Sequence, residues 1–181
     1  MARTRYVALL RGINVGGKNK VAMADLREAV EGDGHTDVTT YIASGNVLFT
    51  SDAPARTLED RLEAALEAKL RLPLVVVVRS HRQLRDVVQK APKGFGTQPG
   101  KFHSDVVFLK APLTGRQAVR LVDPREGVDE VHGGTGVLYM SRLSARLPQS
   151  RLNRIAAIPE YKQMTIRSWN TATKLLELLE G

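Results

Sequence analysis

The chain has 181 residues, 43% of them hydrophobic, enough to bury the core of one ordinary domain or of two small ones of roughly 80 to 100 residues. It contains no cysteine, which excludes a disulfide framework, a thiolate nucleophile and a zinc–thiolate site, and suits a cytoplasmic protein. Net charge is +8; the opening MARTRYVALLRG has too few apolar residues before Arg11 for a secretory signal, and no run is long enough to span a membrane, so no membrane partner is expected.

Residues 5–13 form an apolar run interrupted by Arg11 and followed by the glycine-rich RGINVGGKNK, which predicts a strand and then a loop. The segment VAMADLREAVEGDG sets Met23, Leu26, Ala29 and Val30 at helical spacing from near Ala22 and stops at Gly32 or Gly34. Strands are expected over 38–43 and 47–50, around the tight connection Ser44-Gly45-Asn46. Thr57 and Asp60 resemble a capping box opening a second helix, with Leu58, Leu62, Leu66 and Leu70 as its apolar stripe and Pro73 as its stop. The β-branched run LVVVV, 74–78, reads as a buried strand. This βαββαβ order is the ferredoxin-like pattern, with two helices over one face of a four-stranded antiparallel sheet.

The second half repeats the rhythm. Ser80 and Gln83 form another capping box before a helix that Pro92 stops. Phe95 and Phe102 then favour a packed surface loop over an open linker. A strand over 105–109, a helix from the Thr114/Gln117 box to Val122, and a hairpin over 128–132 and 137–140 turned by GGTG follow. A short helix is expected around 150–157, and a terminal helix presents Trp169, Ala172, Leu176 and Leu179 on one face. The expected fold is α+β: two ferredoxin-like halves with antiparallel sheets, residues 1–79 and 80–181, the second extended by a C-terminal helix.

Gly12, Gly17 and Lys18 match three positions of a phosphate-binding P-loop, but Asn19 stands where the motif needs a magnesium-holding hydroxyl. The following helix also starts late, beside an antiparallel sheet, and no strand ends in a metal-holding Asp, which argues against nucleotide hydrolysis. The same loop remains a candidate anion site: Gly16 and Gly17 can turn successive N–H groups inward while Lys18 and Lys20 add charge, and a plain exposed turn would account for the same residues. A second candidate is IRSWNT, 166–171, whose Arg, Trp and Asn-Thr pair at a helix start suit a ring or a phosphate; alternatively Trp169 is core and Asn170 or Thr171 caps the helix. Ser44 lacks a nucleophile elbow and fits a turn. The four histidines have no metal-site spacing, although His103 and Asp105 would share a strand face that can orient an imidazole. No metal or other cofactor is expected.

Charge is unevenly spread, with 11 basic and 10 acidic residues up to residue 80 and 16 against 9 beyond it. Between Arg142 and Lys174, seven basic residues face one acid, Glu160, either as a solvated surface or as a field for a phosphate-bearing partner.

The blocks YVALLRGINVGGKNKVAMADLREAV, YIASGNVLF and TIRSWNTATKLLEL, at the two ends of the chain, resemble the bacterial family called domain of unknown function 1697. The resemblance implies an α+β fold of two ferredoxin-like halves and no particular activity. Where that family often has Asn before the tryptophan and Pro after the glycine loop, this chain has Ser168 and Ala22.

The reading that emerges is a cytoplasmic binding module for a phosphate-containing small molecule or nucleic acid. Arg11, Asn14, Gly16, Gly17 and Lys18 would hold the ligand, with Arg167, Trp169, Asn170 and Thr171 as a second group. Two alternatives stay open: an enzyme acting on a small anionic substrate in a cleft between the halves, and a structural or interaction protein.

Overall fold

The computed structural model describes residues 3–181. Its first six elements are β1 (Thr4–Leu10), α1 (Met23–Gly32), β2 (Thr36–Tyr41), β3 (Asn46–Ser51), α2 (Ala55–Leu70) and β4 (Val76–Ser80). The strands pair in the order β2-β3-β1-β4, every neighbouring pair antiparallel. Alternation decides which face meets the helices. Tyr6, Ala8, Leu10, Val47, Phe49, Val76 and Val78 pack with Leu26, Ala29 and Val30 of α1 and Leu58, Leu62 and Leu66 of α2. Each leucine so enclosed stabilises the fold by about 1.5–3 kcal/mol.

The helix over residues 55–70 begins earlier than the sequence predicts, and Thr57 and Asp60 form no capping box. Pro54 is the N-cap, and its carbonyl accepts from the Thr57 N–H at 3.0 Å. The fixed φ of proline presets the helical turn two residues ahead of the threonine.

A sheet edge leaves unpaired N–H groups. At β4 two glutamates of α2, one turn apart, cover them. The Val78 N–H donates to Glu59 Oε1 at 2.9 Å and the Val76 N–H to Glu63 Oε1 at 2.8 Å.

The remaining elements are α3 (His81–Gln89), β5 (Phe102–Leu109), α4 (Gly115–Val119), β6 (Asp129–Gly134), β7 (Val137–Leu143), three 3-10 turns (Ser144–Gln149, Leu152–Ala157 and Pro159–Gln163), β8 (Met164–Ser168) and α5 (Trp169–Glu180). Their sheet has the order β6-β7-β5-β8, again antiparallel and equivalent to the first. Here the 3-10 turns stand in the place of a second crossover helix, and Leu152 and Ile155 from them join Val107, Leu109, Leu138, Met140 and Met164 in the core. Both expected capping boxes are present: Gln83 N–H donates to Ser80 Oγ, and Gln117 N–H to Thr114 Oγ1, each at 3.2 Å. The opposite face of this sheet is held partly by Tyr139, whose hydroxyl donates to the Val87 carbonyl at 2.6 Å and whose burial pushes its pKa up to about 12.

The chain divides into two units, Met1–Leu84 with Leu175–Gly181, and Arg85–Lys174. This differs from a cut at residue 79 with all later residues in the second half. Part of the reason lies in the first strand: Arg5 donates from Nη1 to the Leu179 carbonyl (2.8 Å) and from Nη2 to that of Leu178 (2.9 Å), tying the end of α5 to β1 and placing a cation at a helix C-terminus. Among the described residues no helix is long and apolar enough to cross a membrane.

Candidate functional site

In the first unit the glycine loop is a small hairpin. Val15 and Lys18 form a bridge, Lys18 N–H donates to the Val15 carbonyl at 3.0 Å, and Asn14 N–H to the Asn19 carbonyl at 3.0 Å. Gly16 and Gly17 occupy the turn at φ 57° and 75°, the pair of positive values that a two-residue type I′ turn requires. Lys18 N–H is therefore already committed within the loop. Asn14 is equally occupied: its Oδ1 accepts from Val21 N–H (2.8 Å) and its Nδ2 donates to the carbonyls of Val21 (3.1 Å) and Ala43 (2.8 Å). Asn19, at the position of the missing P-loop hydroxyl, donates its amide to the Gly12 carbonyl at 2.9 Å. Arg11 is half-buried, whereas Gly16, Gly17 and Lys18 are exposed at the tip. Asn14 thus shapes the loop, and its side chain has no donor left for a ligand.

The second unit contains a half-open cleft of about 130 Å³, lined by Gly96, Pro99, Phe102, His103, Ser104, Ser168, Trp169 and Asn170. Its main wall is the indole of Trp169. Phe95 meets that ring edge-on, centroids 5.0 Å apart, and itself meets Tyr139 at 5.3 Å. Gly96, at φ 73°, lies so close that an added Cβ would stand 2.0 Å from Trp169 Cδ1. The loop that carries Phe95 is thus packed, as its aromatics predict. Among the described residues, the indole N–H has no acceptor and the side-chain amide of the exposed Asn170 likewise has no partner.

Helix α5 begins at this cleft, and the residue that caps it is neither of the two expected. Ser168 Oγ accepts from Thr171 N–H at 3.2 Å and lies 2.9 Å from Thr171 Oγ1. Thr171 is thereby engaged in the cap, while Trp169 and Asn170 open onto the cleft. Arg167 belongs elsewhere. It pairs with Val106 on the other face of the strand, is only 7% exposed, and donates from Nη1 to Thr165 Oγ1 (2.8 Å) and to the Ile166 carbonyl (2.9 Å). Burial lowers its pKa to about 10, which leaves it charged at neutral pH.

His103 was not among the candidate ligand residues, yet it lines the cleft. Its Nε2 lies 3.3 Å from Asp105 Oδ2, and the same oxygen accepts from Arg142 Nη2 at 2.6 Å. Arg142 in turn donates to Asn153 Oδ1 at 3.0 Å. The only advance signal was the i, i+2 spacing of His103 and Asp105 on one strand face. Next to the lining residue Phe102, Lys101 Nζ stands 5.2 Å from that ring's centroid, within cation–π range.

Three of the seven basic residues of the second-half stretch pair with acids. Arg142 meets Asp105, while Arg151 and Arg154 share Asp123 Oδ2 at 3.2 and 3.4 Å. These acids come from earlier in the chain, so the one-acid tally within the stretch overstated its excess. Among the described residues, no group of three or more His, Asp or Glu is placed to hold a metal ion.

Residues 3–139 match the family described as protein of unknown function (DUF1697). The chain belongs to this family. Among solved structures, a conserved bacterial protein, SP0830 from Streptococcus pneumoniae, is similar to this DUF1697 chain, with 26% identity and a TM-score of 0.81, over 98% of this chain and 99% of that one. No curated protein matches by sequence. For this DUF1697 chain Ser168 caps α5, as serine does well at a helix N-cap.

Proposed function

We propose that this DUF1697 protein is a cytoplasmic binding module for a small phosphate-containing ligand, seated in the cleft of the second unit. The observation that carries the reading is the convergence there of an aromatic wall with polar groups: the Trp169 indole N–H and the Asn170 amide, neither with a partner among the described residues, border one space with the His103 imidazole, whose Nε2 lies beside Asp105. The start of α5, a 12-residue helix, adds the positive end of its dipole. Arg167, Thr171 and Asn14 support this reading as framework residues, and Lys18 and the glycine tip serve as an exposed hairpin.

A small ligand is favoured over a nucleic acid because three of the arginines that suggested a broad basic field, Arg142, Arg151 and Arg154, are paired with Asp105 and Asp123. A polymer would need several unpaired cations along its backbone. Trp169 is the sole tryptophan, so its emission reports on the cleft directly. Titration with inorganic phosphate should shift that emission with a weak dependence on salt. A steep loss of affinity for single-stranded oligonucleotide between low and moderate salt, with no response to phosphate, would replace this reading by the nucleic-acid one.

One arrangement favours a second, enzymatic reading. Asp105, held by Arg142, orients His103 at the cleft, and a histidine so placed can act as general base on a bound substrate.

A further inference from the structure

We infer that the ligand of this cleft carries a planar heteroaromatic ring beside its anion, so that the second unit receives a single nucleoside phosphate. The inference rests on the anion-binding reading above and adds the ring to it. Phe95 meets the Trp169 ring at 5.0 Å and Gly96 lies against its Cδ1–Nε1 side, contacts that hold the indole in place as a cleft wall. Pro99 and Phe102 give the cleft further apolar lining. A volume of about 130 Å³ compares with the roughly 150 Å³ void that accepts benzene, which is room for one ring and too little for two stacked bases.

The rim then selects which ring. Among the described residues, the indole N–H is a donor without an acceptor, and the Asn170 amide supplies both donors and an acceptor that none of them uses. A plain hydrocarbon ring offers these groups nothing to bond, whereas ring nitrogens and exocyclic oxygens or amines answer both. Lys101 beside Phe102 supplies a cation for the attached phosphate, and the His103 imidazole, oriented by Asp105, borders the same space. Base stacking on one tryptophan with edge hydrogen bonds and a terminal phosphate is the chemistry of a mononucleotide. A strand of nucleic acid would need a row of such platforms.

The test uses the full-length chain, with Trp169 emission and calorimetry read in parallel. The probes are the ribonucleoside 5′-monophosphates of all four bases, the matching nucleosides, inorganic phosphate and a single-stranded oligonucleotide. At least one monophosphate is expected to quench Trp169 and to bind roughly tenfold or more tightly than inorganic phosphate, the gain that base–aromatic stacking supplies. Asn170→Ala, which removes a side chain bonded to no protein group, is expected to weaken that monophosphate several-fold without lowering the melting temperature. If inorganic phosphate binds as tightly as every monophosphate, the ring is refuted while the anion reading stands. Nucleosides binding as tightly as their monophosphates would refute the anion and with it the nucleoside phosphate. An oligonucleotide that binds far tighter than any monophosphate overturns the single-nucleotide occupant, and silence from every probe overturns both readings.

Discussion

His35 shows how one buried side chain gives the fold a pH dependence. Its ring sits on Phe49 with centroids 5.0 Å apart, and its Nε2 is 2.9 Å from Asp33 Oδ2, which Arg61 also approaches at 3.1 Å. Burial lowers its pKa, and the nearby Asp33 charge offsets this only in part. The unfolded chain therefore binds the proton more readily than the folded one. Stability is complete above the unfolded value of about 6.5 and declines as pH falls from there toward the lower folded value. Urea midpoints measured at about pH 7.5 and about pH 5.5 should differ more in the wild type than in His35→Gln; equal differences would remove His35 as the cause. At the cleft, Gly96→Ala forces a Cβ into the indole and a non-glycine residue into positive φ, so a loss of about 1–3 kcal/mol and a red-shifted Trp169 emission are expected. In the glycine loop, Asn14→Ala removes three hydrogen bonds and should cost about 1–3 kcal/mol, whereas Lys18→Ala at the exposed tip should stay within about 0.5 kcal/mol. Thermal melts that rank the two variants the other way would show the loop to be held by something other than Asn14.

Among the elements, β4 makes the strongest prediction. Glu63→Ala leaves the Val76 N–H at the sheet edge without its acceptor, and Glu59→Ala does the same to Val78 while also removing the carboxylate 3.6 Å from Arg79. Burial already lowers the Arg79 pKa, and the glutamate charge opposes that shift. Glu59→Ala should therefore destabilise more than Glu63→Ala, by about 3–5 against about 1–3 kcal/mol, and both should raise the tendency to aggregate through the opened edge. Denaturant unfolding with light scattering checks both. Equal losses from the two variants would mean that Arg79 does not depend on Glu59. The apolar strands were legible because β-branched runs bounded by glycine or proline admit few other readings. β8 was not, since MTIRS contains a buried threonine and a buried arginine where a strand pattern calls for apolar residues. The start of α2 was misplaced for a similarly local reason: Thr57 and Asp60 satisfy the spacing of a box, and only the backbone shows that Pro54 has already begun the helix.

For the whole molecule, the sequence order βαββαβ followed by a looser repeat led to two antiparallel sheets of equivalent strand order, because period and turn chemistry act locally and constrain topology strongly. The candidate site was only half legible. Trp169 and Asn170 stood out as a motif, but His103, Gly96 and Phe102 reach the same cleft from a different stretch of chain, and no spacing in the sequence announces that meeting. Charge misled for the same reason: Asp105 and Asp123 neutralise arginines lying at least 28 residues away along the chain. The claim that a small anionic ligand binds in the second unit, and not at the glycine loop of the first, is tested most directly by amide and indole NMR shifts during a phosphate titration. Shifts that saturate at the Trp169 indole N–H, Asn170 and His103 while Gly16, Gly17 and Lys18 stay still are the predicted result. Saturating shifts at Gly16, Gly17 and Lys18 with a silent Trp169 would contradict it.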